Sequence, residues 1–175
     1  MLLSLPSLNH YFIGAEELFY KLQLGNVNFE LSWGCVGIGE YLHDMGTALG
    51  ADGSRRQRMQ TAFDAFARHE DTLTGRLLSY LRGKPTVRII GAGTVVNGQR
   101  MPTVSFVVAD KQSETIVRHV DQFNIGIRFG DFYAKRLIET LRLQSHGGVV
   151  RISIAHYNTD AEIDRLIQHL DEVLS

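Results

Sequence analysis

Two arginines stand where a β-sheet would ordinarily carry apolar or small side chains. Arg151 interrupts Val149-Val150-Arg151-Ile152-Ser153-Ile154, and strand alternation places it with Ser153 and Ala155, opposite Val150, Ile152 and Ile154. Arg128 closes the run Ile125-Gly126-Ile127-Arg128 and faces away from Ile127. A guanidinium set beside buried residues needs an anion, and its planar fork matches a carboxylate through two parallel hydrogen bonds. Two sources of that anion fit the pattern: the carboxylate of a small ligand, or an acid from a helix of the same chain.

Other side chains with chemical potential lack the company their chemistry requires. Seven histidines are present, but His69-Glu70 has no second histidine four positions after the first, so the zinc-protease spacing is missing. None of the others has a paired metal ligand at helical spacing, and each reads as a surface or core-edge residue. Gly34, Gly37 and Gly39 fall in an apolar helical stretch without a preceding strand, and Gly91-Ala92-Gly93 is not followed by a helix, so neither is a phosphate loop. The first three read as small residues that let a helix pack closely. Cys35, the single cysteine, lies in that same stretch, where a thiol acts as a small hydrophobe.

The elements that would position the arginines follow from hydrophobic period. Residues 1–28 are irregular, with a short helix over Glu16–Leu22. A long apolar helix runs from Phe29 to Leu49 and is apolar nearly all round, which implies burial on more than one side. A second helix carries Met59, Phe63, Phe66, Leu73, Leu77 and Leu81 as a single stripe and stops at Gly83-Lys84-Pro85. The period then changes to two. Val87, Ile89 and Ile90 mark one strand and Val104, Phe106 and Val108 another, with a turn signal at Asn97-Gly98. A helix near Ser113–Gln122, a strand near Ile125–Arg128, a helix near Phe132–Leu143 and a strand at Val149–Ala155 follow. Thr159-Asp160-Ala161-Glu162 is a capping box that opens a final helix, Asp160–Leu174. The expected fold is α+β: a small, mostly antiparallel sheet covered by helices on one side and preceded by two long helices.

Composition narrows the function classes. With 18 Lys plus Arg against 19 Asp plus Glu among 175 residues, the chain lacks the basic footprint of a nucleic-acid binder. One cysteine excludes an internal disulfide framework. No apolar run reaches the ~20 residues of a membrane span. The start, Met1-Leu2-Leu3-Ser4-Leu5-Pro6, has no charged region like that of a signal peptide. These features point to a soluble, cytoplasmic protein without nucleic-acid or membrane partners.

The closing run Gly147-Gly148-Val149-Val150-Arg151-Ile152-Ser153-Ile154-Ala155-His156-Tyr157-Asn158-Thr159 resembles the last strand of class V aminotransferases, in the branch that includes the cysteine desulfurases. Asn124-Ile125-Gly126-Ile127-Arg128-Phe129-Gly130 resembles the strand leading into that family's active-site loop, and Pro102-Thr103-Val104-Ser105-Phe106 an earlier strand. Gly25-Asn26-Val27-Asn28-Phe29-Glu30 is similar to the family's Gly-Thr-x-Asn-x-Glu segment. The four matches occur in family order and span nearly the whole chain.

The resemblance implies a homodimeric, pyridoxal-phosphate-dependent enzyme of fold type I acting on an amino acid. It gives Arg151 the substrate α-carboxylate, places Arg128 near the substrate, and puts Asn26 at the Thr position that contacts the cofactor phosphate of the partner subunit. It also implies what this stretch lacks. The Schiff-base lysine belongs to a large-domain segment that Lys21, Lys84, Lys111 and Lys135 do not match. Tyr133 stands where desulfurases carry their persulfide-forming cysteine. The expectation is therefore a connecting segment, 1–28, and a C-terminal small domain, 29–175, that recognises a substrate carboxylate but is not catalytically competent alone. Met1 would be an internal start or a truncation point. Pyridoxal phosphate would belong to the complete enzyme and would not be stably bound by this stretch. The partner would be a second copy or a large domain. The alternative is a stand-alone module that binds a small carboxylate or another protein.

Overall fold

The computed structural model describes residues 28–95 and 100–175. The expected helix at 16–22, Asn26 and the Asn97-Gly98 turn lie outside the described residues. The chain divides into two compact units, 1–62 and 63–175.

In the first unit, α1 spans Phe29–Ala48, and the Oδ1 of Asn28 accepts a hydrogen bond from the Leu31 N–H at 2.9 Å, capping its first turn. The long helix α2, Arg55–Arg82, begins here and continues into the second unit. A Cβ on Gly46 would overlap the Arg58 backbone, so this glycine permits a close approach of α1 and α2. The packing role expected of Gly34 and Gly37 is not seen among the described residues, none of which lies within 4 Å of a Cβ at either. Only Leu42 and Gly46 of α1 are buried, while Phe29, Leu31, Trp33 and Ile38 are 60% or more exposed. Cys35 is exposed as well.

The second unit is a four-stranded sheet, β1 (Val87–Ile90), β2 (Thr103–Val108), β3 (Arg128–Gly130) and β4 (Val149–Ser153), in the order β1-β2-β4-β3 and antiparallel throughout. Helices α3 (Ser113–Asp121) and α5 (Asp160–Leu174), with the C-terminal half of α2, pack on one face. Alternation along β2 and β4 sends Val104, Phe106, Val108, Val150 and Ile152 into that layer, where they meet Leu73, Leu77 and Leu81, Ile116 and Val120, and Leu166 and Leu170. The capping box of α5 forms as expected: Thr159 Oγ1 accepts from the Glu162 N–H at 3.3 Å, and Glu162 Oε2 accepts from the Thr159 N–H at 2.8 Å.

Two boundaries differ from the sequence reading. Arg128 begins β3 instead of ending a strand, because Ile125–Ile127 are not paired into the sheet. The helix expected over Phe132–Leu143 shrinks to α4, Lys135–Thr140. Phe132 and Tyr133 have φ of 51° and 63°, which delays its start, and Arg142 at φ 56° ends it. The Leu143 N–H donates to the Ile138 carbonyl at 2.9 Å and the Arg142 N–H to Glu139 at 3.0 Å, a left-handed C-terminal cap with arginine where glycine is usual. Ile138 and Leu143 then join Val107 and Val149 in a small second cluster over one end of the opposite sheet face.

Candidate functional site

The rest of that opposite face is polar. Cross-strand register places Ser105 beside Arg151 and Arg151 beside Arg128, and one step along the strands Thr103 sits beside Ser153 with their hydroxyls 3.3 Å apart. Directly paired residues of an antiparallel ladder project to the same side, with Cβ atoms roughly 4.5–5.5 Å apart, so two arginine side chains leave the same surface from neighbouring strands. Like charges at this separation repel. Among the described residues neither arginine is ion-paired with a carboxylate, although six pairs form elsewhere in the unit, including Arg76 with Asp160 and Arg118 with Glu114. Among the described residues, the internal salt bridge left open by the sequence does not form at Arg151.

Arg151 is half-buried, and its guanidinium carbon lies 3.8 Å from the centre of the Phe132 ring. Stacking engages the face of the guanidinium and leaves its in-plane N–H donors free. Arg128 is exposed and donates from Nη1 to the carbonyl of Ile127 at 3.0 Å, which turns it back along its own strand. The loop between β3 and α4 brings Phe132 to Arg151. The Oδ1 of Asp131 accepts from the Tyr133 N–H at 3.0 Å, and the Asp131 carbonyl accepts from the Ala134 N–H at 2.8 Å. Tyr133 projects fully into solvent from this loop. Sequence reasoning missed Phe132. The only signal for it was its place four residues after Arg128, and a left-handed Phe next to a left-handed Tyr has no sequence signature.

The segment Tyr157-Asn158-Thr159 joins β4 to α5. Asn158 Oδ1 accepts from the Ala155 N–H at 2.8 Å, its Nδ2 donates to Glu162 at 3.3 Å, and its carbonyl meets His69 Nε2 at 2.7 Å. His156 stacks on Phe66 with ring centres 4.0 Å apart. His119 and His169 share the carboxylate of Glu172, at 3.1 and 3.2 Å. These contacts fix α2 and α3 against the sheet exit and α5. They hold the Glu162 carboxyl below its ordinary range, chiefly through the Thr159 backbone N–H, and Glu172 below its own, chiefly through His169.

Pyridoxal phosphate requires an amine with which to form an imine, and donors for its phosphate. The described lysines do not fit that role. Lys84 is paired with Asp171 at 2.5 Å, Lys111 donates to the Val173 and Ser175 carbonyls, and Lys135 opens the exposed first turn of α4. Burial and the Asp171 carboxylate raise the Tyr80 phenol well above its usual range, and the Lys84 ammonium, followed by Tyr80, lowers Asp171. This cluster is a clasp between α2 and α5. The described residues thus offer a cationic, donor-bearing surface for a carboxylate and no cradle for the cofactor itself.

A family model described as aminotransferase class-V matches residues 51–166, more than half of the chain. The chain belongs to the class-V aminotransferase family. Members of this family work with pyridoxal phosphate. Among curated relatives of the class-V chain, the aminotransferase-like protein FGM3 of Gibberella zeae is 34% identical over 97% of it, and the cysteine desulfurase-like protein ustD of Aspergillus flavus 33% over 98%. The chain spans 39% and 36% of the lengths of these two proteins. In fold it is similar to the apo cysteine desulfurase of Thermococcus onnurineus, with a TM-score of 0.58 and 22% identity over 69% of this chain and 28% of that one. It is likewise similar to the cysteine desulfurase CsdA of Escherichia coli, at 0.52 and 20% over 71% and 32%. Among the described residues no helix is long and apolar enough to cross a membrane.

Proposed function

We propose that residues 29–175, with the connecting segment 1–28 before them, form the C-terminal small domain of a class-V, desulfurase-like enzyme and that its task is to grip the α-carboxylate of an amino-acid substrate. The observation that carries this reading is the pair Arg151 and Arg128, adjacent on one sheet face with no acid of the described chain to neutralise them. A pair of cations without a carboxylate partner is balanced by an incoming anion, and the fork of Arg151 gives that anion an orientation. Arg128 adds positive potential at the rim. Asn26 is assigned to the cofactor phosphate of a partner subunit, by its place in the Gly25–Glu30 segment.

In this reading pyridoxal phosphate is held by other parts of the longer protein, and the 175-residue stretch alone neither retains the cofactor nor turns over substrate. The lysine assignments above support that division. Tyr133, standing at the persulfide position, points the whole protein to a reaction on amino acids other than ordinary desulfuration. The exposed apolar side chains of α1 support association with a second copy or with a large domain, in the cytoplasm. They equally favour a second reading, in which this stretch is a module that binds a small carboxylate while docking on another protein.

Calorimetric titration of the purified chain with L-alanine tests the proposal. Wild-type chain binds, Arg151→Ala loses binding by at least about tenfold, and Arg128→Ala weakens it by a smaller factor. Equal binding by wild type and Arg151→Ala overturns it. Light scattering separates the two readings of α1: self-association favours the dimeric enzyme, and a monomer at high concentration favours the module.

A further inference from the structure

We propose that Phe132 is the positioning residue of the carboxylate site: its ring, turned under Arg151 by two consecutive left-handed residues, holds the guanidinium by its face and leaves the fork open. The inference rests on the reading of Arg151 as a carboxylate ligand and assigns the group that makes such a ligand usable. An arginine in a protein is usually oriented by a carboxylate, but an acid that orients it also occupies the donors a substrate would need. An aromatic face orients the same group without consuming a single N–H. Arg151 is held in this second way, 3.8 Å from the Phe132 ring centre and half-buried, with no carboxylate partner among the described residues.

The loop is built to place that ring. A positive φ is uncommon for a bulky side chain, and two in succession cost free energy that something must repay. Phe132 and Tyr133 adopt φ of 51° and 63°, fixed by the Asp131 side chain and carbonyl at 3.0 and 2.8 Å. The outcome is a division of labour between neighbours. Phe132 turns in, against the cluster of Val107, Ile138, Leu143 and Val149 and the Arg151 guanidinium, and Tyr133 turns out into solvent. A regular helix beginning at Phe132, the course the local sequence favours, would give up the Asp131 turn that sets this placement.

The test is the Nε–Hε resonance of Arg151 in nitrogen-15 spectra of the 175-residue chain, assigned with Arg151→Lys, alongside L-alanine titration. In wild type and Phe132→Tyr, ring current displaces this resonance upfield and L-alanine binds. In Phe132→Leu the resonance moves to the position of a free arginine, and binding weakens about three- to tenfold while the rest of the spectrum is preserved. Should the leucine variant fail to fold, Phe132→Met, closer to phenylalanine in volume, replaces it with the same expectations. An unmoved resonance, or an unchanged affinity for L-alanine in the aromatic-free variant, overturns the proposal. Binding lost in Arg151→Ala but intact in Phe132→Leu sinks the role of Phe132 alone. No difference between wild type and Arg151→Ala sinks the carboxylate reading beneath it.

Discussion

The two faces of the sheet are made from the same strands and obey opposite rules. On one, Val104, Phe106, Val150 and Ile152 are essentially removed from water by α2, α3 and α5. On the other, one residue along in each strand, Ser105, Arg151 and Ser153 remain half-buried or exposed, and only the end near α4 is apolar. The first face stores the stability of the unit. The second tolerates a repulsive pair of cations that the first is strong enough to carry. A period of two lets one short strand serve both ends, and the cost is that neither face can be altered by shifting register.

The comparison breaks most easily at the apolar face. Phe106→Ala removes a fully buried ring at the centre of the larger cluster and lowers unfolding free energy by about 3–5 kcal/mol, read from urea melts. A loss below about 1 kcal/mol would mean that this face does not carry the fold. On the polar face the expected effects reverse in kind. Arg151→Ala costs at least about tenfold in L-alanine affinity yet leaves the melting midpoint within a few degrees, because the side chain gives up one ring contact and no ion pair.

Smaller effects sharpen the account at the edges. Thr159→Ala removes the cap of α5 and destabilises by about 1 kcal/mol in the same urea assay. The carboxyls of Glu162, Asp171 and Glu172 lie below their ordinary values in the folded chain. Each therefore contributes stability that is present above the ordinary carboxylate range and is lost as pH falls through the lowered value. Melting midpoints should decline on acidification from pH 6 toward pH 3 (roughly the carboxylate range), and Glu162→Gln should flatten part of that decline. A midpoint that rises on acidification contradicts the assignment. The smallest change is Arg142→Gly, which relieves a left-handed arginine at the end of α4 and stabilises by up to about 1 kcal/mol.

The sequence made one kind of information plain and concealed another. The capping box at Thr159, the stripe of Leu73, Leu77 and Leu81 and the facing of Arg151 were legible because each is a local pattern of fixed period. The start of α4 was not. Phe132 and Tyr133 are acceptable helix residues, and the Asp131 turn that overrides them rests on a side-chain bond that aspartate can make in a turn but that its presence alone does not guarantee. The packing of α1 was misread for a related reason. Gly34 and Gly37 resemble contact glycines, but the approach occurs at Gly46, where the turn after α1 returns the chain as Arg58. The arginines were visible in sequence as candidates. What holds Arg151 was invisible, because its partner lies on a loop whose backbone belongs to the rare left-handed region.

The central claim is that the paired guanidiniums recognise a carboxylate and not merely a polar amino acid. Side-by-side titration of the wild-type chain with L-alanine and with L-alaninamide, which keeps the amine and side chain but removes the negative charge, tests it most directly. The account predicts saturable binding of the acid and none of the amide at the same concentrations. Equal binding of the two would contradict it.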